Sequence, residues 1–315
     1  MKKRVTFICE FLKGRLIQHN LQTKGNDYYE KNLKCFNDKP LLSAENANEF
    51  IKQAILSDRP FMAGRFGATE LATVKTFDFE NKSRYKAQLN RIGTTAGLFP
   101  ETEEIGKRFA DIMIESVSQA DLMGIWPEPF EEYYLHTYGY PKLECTLLRN
   151  LEPWLHTNNP WSAALAGKKV LIVGIFSESV KEQYRKRESI FPDTEVLPEF
   201  TLITYQSVWT SHGCDPRFKD WFEALDFMKK EILERSFDVA ILGCGAYGFP
   251  LAAEIKKAGK QAIHLGGATQ LLFGITGTRW EDDPRIQALV NENWVRPMKS
   301  EKPKQADEIE NAAYW

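Results

Sequence analysis

The chain is predicted to be an α/β protein, with a mainly parallel sheet flanked by helices and a helix-rich N-terminal portion. Two observations predict this. From about residue 167 onward, strand-like runs alternate with runs of helix length, and runs such as KKVLIVGIF are apolar throughout rather than alternating. Alternation at this spacing builds βαβ units, and a continuously apolar strand is one buried on both faces of a parallel sheet.

The elements are justified in chain order. Residues 1–45, including TKGNDYYEKNLKCFNDKP, are polar and mixed and read as an irregular or helical lead-in. Residues 46–166 are helix-rich. Within them PFMAGRFGATELATV reads as strand, turn and helix, with Arg65 at the strand end, Gly67 in the turn and Glu70 opening the helix. TEEIGKRFADIMIESVSQA follows as a helix, with Ile105, Phe109, Ile112 and Met113 at helical spacing. The stretch IWPEPFEEYYLHTYGYP carries three prolines, which exclude a long uninterrupted helix across it.

Residues 167–295 alternate cleanly. KKVLIVGIF is a strand, and SESVKEQYRKRESIF a helix with Ser179 and Glu182 in capping-box spacing. EFTLITYQSV is the next strand, and DPRFKDWFEALDFMKKEILERS a long amphipathic helix. FDVAILG is a strand, FPLAAEIKKAG a helix closed by Gly259, and QAIHLG a further strand. Residues 296–315 read as a polar tail.

Bulk properties exclude several classes. A net charge of −2 over 315 residues provides no basic footprint for nucleic acid. No apolar run approaches the roughly 20 residues of a transmembrane segment. Glu10 and Lys13 interrupt any signal-like apolar region near the N-terminus. The five cysteines, Cys9, Cys35, Cys145, Cys214 and Cys244, never form a C-x-x-C pair, which argues against a disulfide framework or a zinc site. The expected location is the cytoplasm, including a peripheral position at the inner face of the membrane.

Gly243, Gly245 and Gly248 stand in G-x-G-x-x-G spacing between a strand and a helix, with Tyr247 inside the turn. Free backbone N–H groups and the helix dipole favour a phosphate at such a turn, and Pro250 suits the first turn of the helix. The alternative is that the glycines only permit tight strand–helix packing. A dinucleotide fingerprint also needs an acidic residue about 20 positions on. Between Glu254 and Glu281 there is none, and His264 stands near that position, which argues against NAD.

Three stretches taken together, AGRFGATEL, PWSAALAGKKVLIVGIFSESVKEQYRKRESIF and GCGAYGFPLAAEIKKAGKQAIHLGGATQLLFGITGTRW, resemble the GT-D-type glycosyltransferases of bacterial glycoprotein and surface-polysaccharide glycosylation. The resemblance spans roughly residues 48–295. It implies a Rossmann-like domain over 46–295, a nucleotide-sugar donor such as a UDP-sugar, and a glycan, lipid-linked glycan or glycoprotein acceptor. The family pattern has Arg-aromatic-Gly-Asp-x-Glu in the early turn. Ala68 stands at the Asp position and only Glu70 matches, which weakens any requirement for manganese or magnesium. A non-catalytic nucleotide-sugar-binding or scaffold relative is therefore the rival expectation. Asp78 and Glu80 read as a solvated helix end, and Glu281, Asp282 and Asp283 as an acidic loop.

Sugar transfer needs an activated hydroxyl and a cationic clamp on the departing diphosphate. Glu70 is the first candidate base and Glu128 the second. Arg65 would pair with the diphosphate or orient Glu70, and Arg279 would be a second clamp. Gly67, Gly243, Gly245, Tyr247, Gly248, His264, Gly266, Gly267 and Gln270 complete the expected donor site. The rings of WPEPFEEYY are the candidate acceptor wall.

Overall fold

Strands that are apolar along their whole length need cover on both faces, and the sheet provides it. The computed structural model describes residues 2–24, 26–36, 39–126, 128–213, 215–303, 306 and 312–315. Helices α1 (Lys2–Lys24) and α2 (Asn26–Asn32) precede a small antiparallel pair, β1 (Cys35–Phe36) and β2 (Lys39–Pro40). Next come α3 (Ala44–Leu56), β3 (Phe61–Gly64), α4 (Ala68–Asp78), α5 (Tyr85–Ala96), α6 (Glu103–Val117), β4 (Leu122–Ile125), α7 (Glu131–Tyr138) and β5 (Glu144–Leu147). The second half runs β6 (Lys169–Gly174), α8 (Ser177–Tyr184), α9 (Arg187–Ile190), β7 (Thr201–Gln206), α10 (Trp221–Leu233), β8 (Val239–Gly243), α11 (Gly248–Lys257), β9 (Gln261–His264) and α12 (Pro284–Gln287).

Strands β3 to β9 form one parallel sheet in the order β5-β4-β3-β9-β8-β6-β7. Leu171, Val173, Ala240, Leu242 and Ala262 face a layer that contains residues of α4, α6, α10 and α11. Val170, Ile172, Val239, Ile241 and Ile263 face the opposite layer, with α3, α8, Trp154 and Trp161. Both side-chain sets are buried, so neither can be polar. Cutting Ile172 or Ile241 back to alanine is expected to cost about 2–5 kcal/mol.

The structure departs from the sequence reading in several places. The first half contributes three strands to the sheet, of which β4 and β5 lie in short runs with little pattern of their own. The single helix expected after β6 is broken into α8 and α9. Ser179 does not form a capping box with Glu182. Instead, Glu301 from the C-terminal tail accepts from the backbone N–H groups of Glu178 (2.7 Å) and Ser179 (3.1 Å), and also from the Ser179 hydroxyl. A carboxylate from a distant segment thus satisfies the free N–H groups that a local cap would have taken. Helix α10 starts only at Trp221, because Asp220 caps it through the Glu223 N–H (2.8 Å) and Arg217 folds back on Asp215 (2.6 Å).

Candidate functional site

The C-terminal ends of β3, β9, β8, β6 and β7 border one cavity of about 230 Å³. Open parallel sheets place ligands at this edge.

The turn after β3 supplies Arg65, Gly67, Ala68, Thr69 and Glu70 to the lining. Arg65 Nε donates to the Phe66 carbonyl (3.2 Å), and Nη1 would lie 3.6 Å from a Cβ placed on Gly266. Gly67 is the N-cap of α4, and the Glu70 carboxylate folds back over it. This is the position a third-residue glutamate takes in a capping box. Glu70 therefore combines a place in the cavity wall with a place at the helix end.

The turn after β8 supplies Gly243, Gly245 and Tyr247. A Cβ on Gly243 would lie 2.7 Å from both the Gly266 carbonyl oxygen and Thr269 Oγ1, so the close approach of two loops requires glycine there. Gly245 has φ +57°, and a Cβ there would meet nothing within 4 Å. Tyr247 shares a hydrogen bond with Thr210 Oγ1 (2.6 Å) and stacks on Trp221 at 4.6 Å, fixing the turn to the loop after β7. Gly248 lies outside the lining, packed against His264.

His264 ends β9 and is buried against the Arg65 backbone, and neither ring nitrogen makes a well-formed hydrogen bond. Burial, reinforced by the Arg65 charge, pushes its pKa down to about 3, so the imidazole is neutral at ordinary pH. Gly266, Gly267 and Gln270 lie on the 3₁₀ segment Gly266–Phe273 and line the cavity. Gln270 Nε2 donates to the carbonyls of Ile275 (3.1 Å) and Tyr314 (3.3 Å), while its buried Oε1 has no partner. Arg279 Nη1 donates to the Tyr314 hydroxyl (3.0 Å), and the Arg279 N–H to the Ala313 carbonyl (2.9 Å).

Sequence reasoning missed the opposite wall. Ser177, Ser207, Trp209, Thr210 and Tyr314 all line the cavity. The hydroxyls of Ser177 and Ser207 are buried without a partner. Both serines lie just beyond strand ends, the signal by which they could have been found. Tyr314 arrives by a fold-back of the tail, for which the sequence carries no sign.

Of the expected site, Glu128 is not brought to the cavity. It is half-buried, and burial raises its carboxyl pKa against the opposing charges of Lys75, Arg91 and Arg65. The rings of the aromatic stretch beside it do not line the cavity either. Phe130 and Tyr134 are buried in the core, Phe130 packing on Phe7 (5.5 Å) and Phe79 (5.4 Å). Pro127 of this stretch lies outside the described residues. Asp78 is half-buried and accepts from the Tyr134 hydroxyl (3.1 Å). Asp283 pairs with Arg149, and Glu281 with Arg296, so two carboxylates of the acidic loop are engaged in ion pairs. Among the described residues, no group of three or more His, Cys, Asp or Glu side chains is arranged to hold a metal ion.

Residues 42–272 match the GT-D-like family, described as a GT-D fold-like domain. No curated protein matches the chain. Two solved structures share 16% identity with it, each over 83% of this chain and 92% of that chain. One is described as the highly conserved domain of unknown function 1792, with a distinct glycosyltransferase fold (TM-score 0.43), and the other as the selenomethionine-substituted structure of DUF1792 (TM-score 0.41). The overlap of both is loose, and the assignment rests on the family match. That match takes in all seven strands of the parallel sheet and both glycine turns, and ends before Arg279 and Tyr314. The chain belongs to the GT-D-like family.

Proposed function

We propose that this protein is a glycosyltransferase that moves a sugar from a nucleoside-diphosphate donor, a UDP-sugar, to an acceptor hydroxyl of a bacterial surface polysaccharide or glycoprotein glycan. One observation carries the reading. Ser177, Ser207, His264 and Gln270, all in the wall of one cavity at the strand ends, each carry a buried polar atom that makes no well-formed hydrogen bond. Buried polar groups left unpaired are costly, so such a cluster is matched to a polar, hydrogen-bonding ligand.

In this reading the diphosphate lies along the Gly245 turn, where the glycine leaves the space open. Arg65 and Arg279 neutralise the charge that develops as the bond to the sugar breaks. His264, being neutral, accepts or donates a hydrogen bond and carries no charge to the site. Glu70 takes the proton of the attacking hydroxyl once its carboxylate swings off Gly67. The family resemblance implies a divalent cation at this turn; Ala68 offers no side-chain oxygen, and Glu70 is the one carboxylate among the lining residues, so Glu70 and the diphosphate would hold a magnesium or manganese ion only weakly. The arginines carry most of the clamp.

A second reading is favoured by the same turn. A Glu70 committed to capping α4 would leave a protein that binds a nucleotide sugar without turning it over. A thermal-shift series with UDP, UDP-sugars and NAD tests the shared part of both readings, because a ligand of the folded state raises the melting temperature. A rise with UDP or its sugars is expected. No shift with any nucleotide, or a shift with NAD alone, would overturn the assignment.

A further inference from the structure

Helix α1 has two apolar faces, and only one is covered. Phe7 packs on Phe79 (5.4 Å) and Phe130 (5.5 Å). Gly14 lies so near Pro129 that an added Cβ would stand 2.7 Å from the proline Cβ, and Glu10 is buried with Lys13 at 3.1 Å. Half a turn away, Val5, Ile8, Leu12 and Leu16 follow one another at steps of three and four residues, on a single face. All four are more than half exposed, and with Phe11 they make up five of the eleven large hydrophobic side chains exposed among the described residues. An apolar stripe so concentrated on one element is an interaction surface.

Charge identifies what covers it. The helix carries six basic residues, Lys2, Lys3, Arg4, Lys13, Arg15 and Lys24, against the single acid Glu10, whereas the whole chain has a net charge of −2. Arg15 and Lys13 flank the stripe on either side by helical position and are exposed, with Lys13 held between Glu10 and Glu132. An exposed apolar stripe beside Arg15, on a helix rich in lysine and arginine, is the pattern of a helix lying in the plane of an anionic bilayer, with long basic side chains reaching the headgroups. A second copy of α1 would bring like charges together across the seam, which disfavours a dimer. No helix among the described residues is long and apolar enough to cross a membrane, so the contact is peripheral.

We propose that α1 docks the protein on an anionic membrane surface through Val5, Ile8, Leu12 and Leu16. The inference stands apart from the sugar-transfer reading.

The test is co-sedimentation of the full chain with phosphatidylcholine vesicles, with and without phosphatidylglycerol. Binding to the anionic vesicles is expected, with little to the neutral ones, and a steep loss as salt is raised. The double variant Ile8→Glu, Leu12→Glu alters two exposed positions and should keep its unfolding midpoint, while its vesicle binding falls by about tenfold or more. Should the double variant fold poorly, Leu16→Glu and the salt dependence of the wild type provide the same decision. Failure of the wild type to bind anionic vesicles, or equal binding by the folded variants, would overturn the proposal. So would a stable dimer that these substitutions dissociate, since it would identify a second copy as the occupant.

Discussion

The Glu70 carboxylate occupies the space that a side chain at Gly67 would need. Gly67 itself has φ −80° and ψ 144°, a backbone that any residue adopts. The nearest obstacle to an alanine at this position is therefore the flexible end of Glu70. Gly67→Ala is expected to change stability by no more than about 1 kcal/mol. It should lower sugar transfer by about 10²-fold, the usual scale for a misplaced catalytic group. Initial rates and urea midpoints of the two forms check this, and a normal rate would show that the folded-back position of Glu70 is irrelevant to the chemistry.

Gly248 and His264 make a less forgiving pair. A Cβ at 248 would lie 2.5 Å from His264 Nε2 and 3.6 Å from Cys244 Sγ, inside a packed layer. Gly248→Ala is expected to destabilise by about 1–3 kcal/mol through overpacking. It should also weaken UDP binding, because the side chain it displaces, His264, lines the cavity. Chemical denaturation and calorimetric titration separate the two effects.

His264 also gives stability a pH dependence. Unfolded, an imidazole titrates near 6.5, whereas folded His264 stays neutral until about pH 3 because it is buried. As pH falls, the unfolded chain takes up this proton first, so the contribution is fully present above 6.5 and is lost progressively toward 3. The unfolding free energy of the wild type should fall more steeply across that window than that of His264→Gln. Parallel slopes would mean that His264 is solvated or protonated in the fold.

Metal dependence should be weak. Ala68 opens α4 with no side-chain oxygen, and magnesium sites use one or two carboxylates together with substrate phosphates. Activity is expected to survive EDTA largely intact, and Ala68→Asp to make it more responsive to manganese. A wild type silent in EDTA and restored by micromolar manganese would contradict this.

Legibility in the sequence followed burial. Strands β6 and β8 show as unbroken apolar runs because both faces are covered, and β3 is marked by the glycine turn that follows it. β4 and β5 are four residues each, too short to carry a period, and their places show only in the pairing of β4 with β3 and of β5 with β4. The positions of Arg65, Glu70 and His264 in the cavity wall were legible because each lies at a strand end or in the turn and first helical turn that follow it. Glu128 and its aromatic neighbours misled because an aromatic-rich acidic stretch looks alike whether it faces a ligand or the core. Tyr314 and Glu301 were out of reach, since their positions depend on how the tail returns to α8 and the 3₁₀ segment at Gly266–Phe273.

In the proposed reaction the cavity transfers sugar from a nucleotide donor with Glu70 as base. The most direct measurement is release of UDP from UDP-sugars by the wild type and by Glu70→Gln, with UDP affinity measured on both. Turnover by the wild type is expected, with a loss of about 10²–10⁴-fold in the variant and little change in affinity. A wild type that binds no UDP-sugar, or a variant that turns over as fast as the wild type, would contradict it.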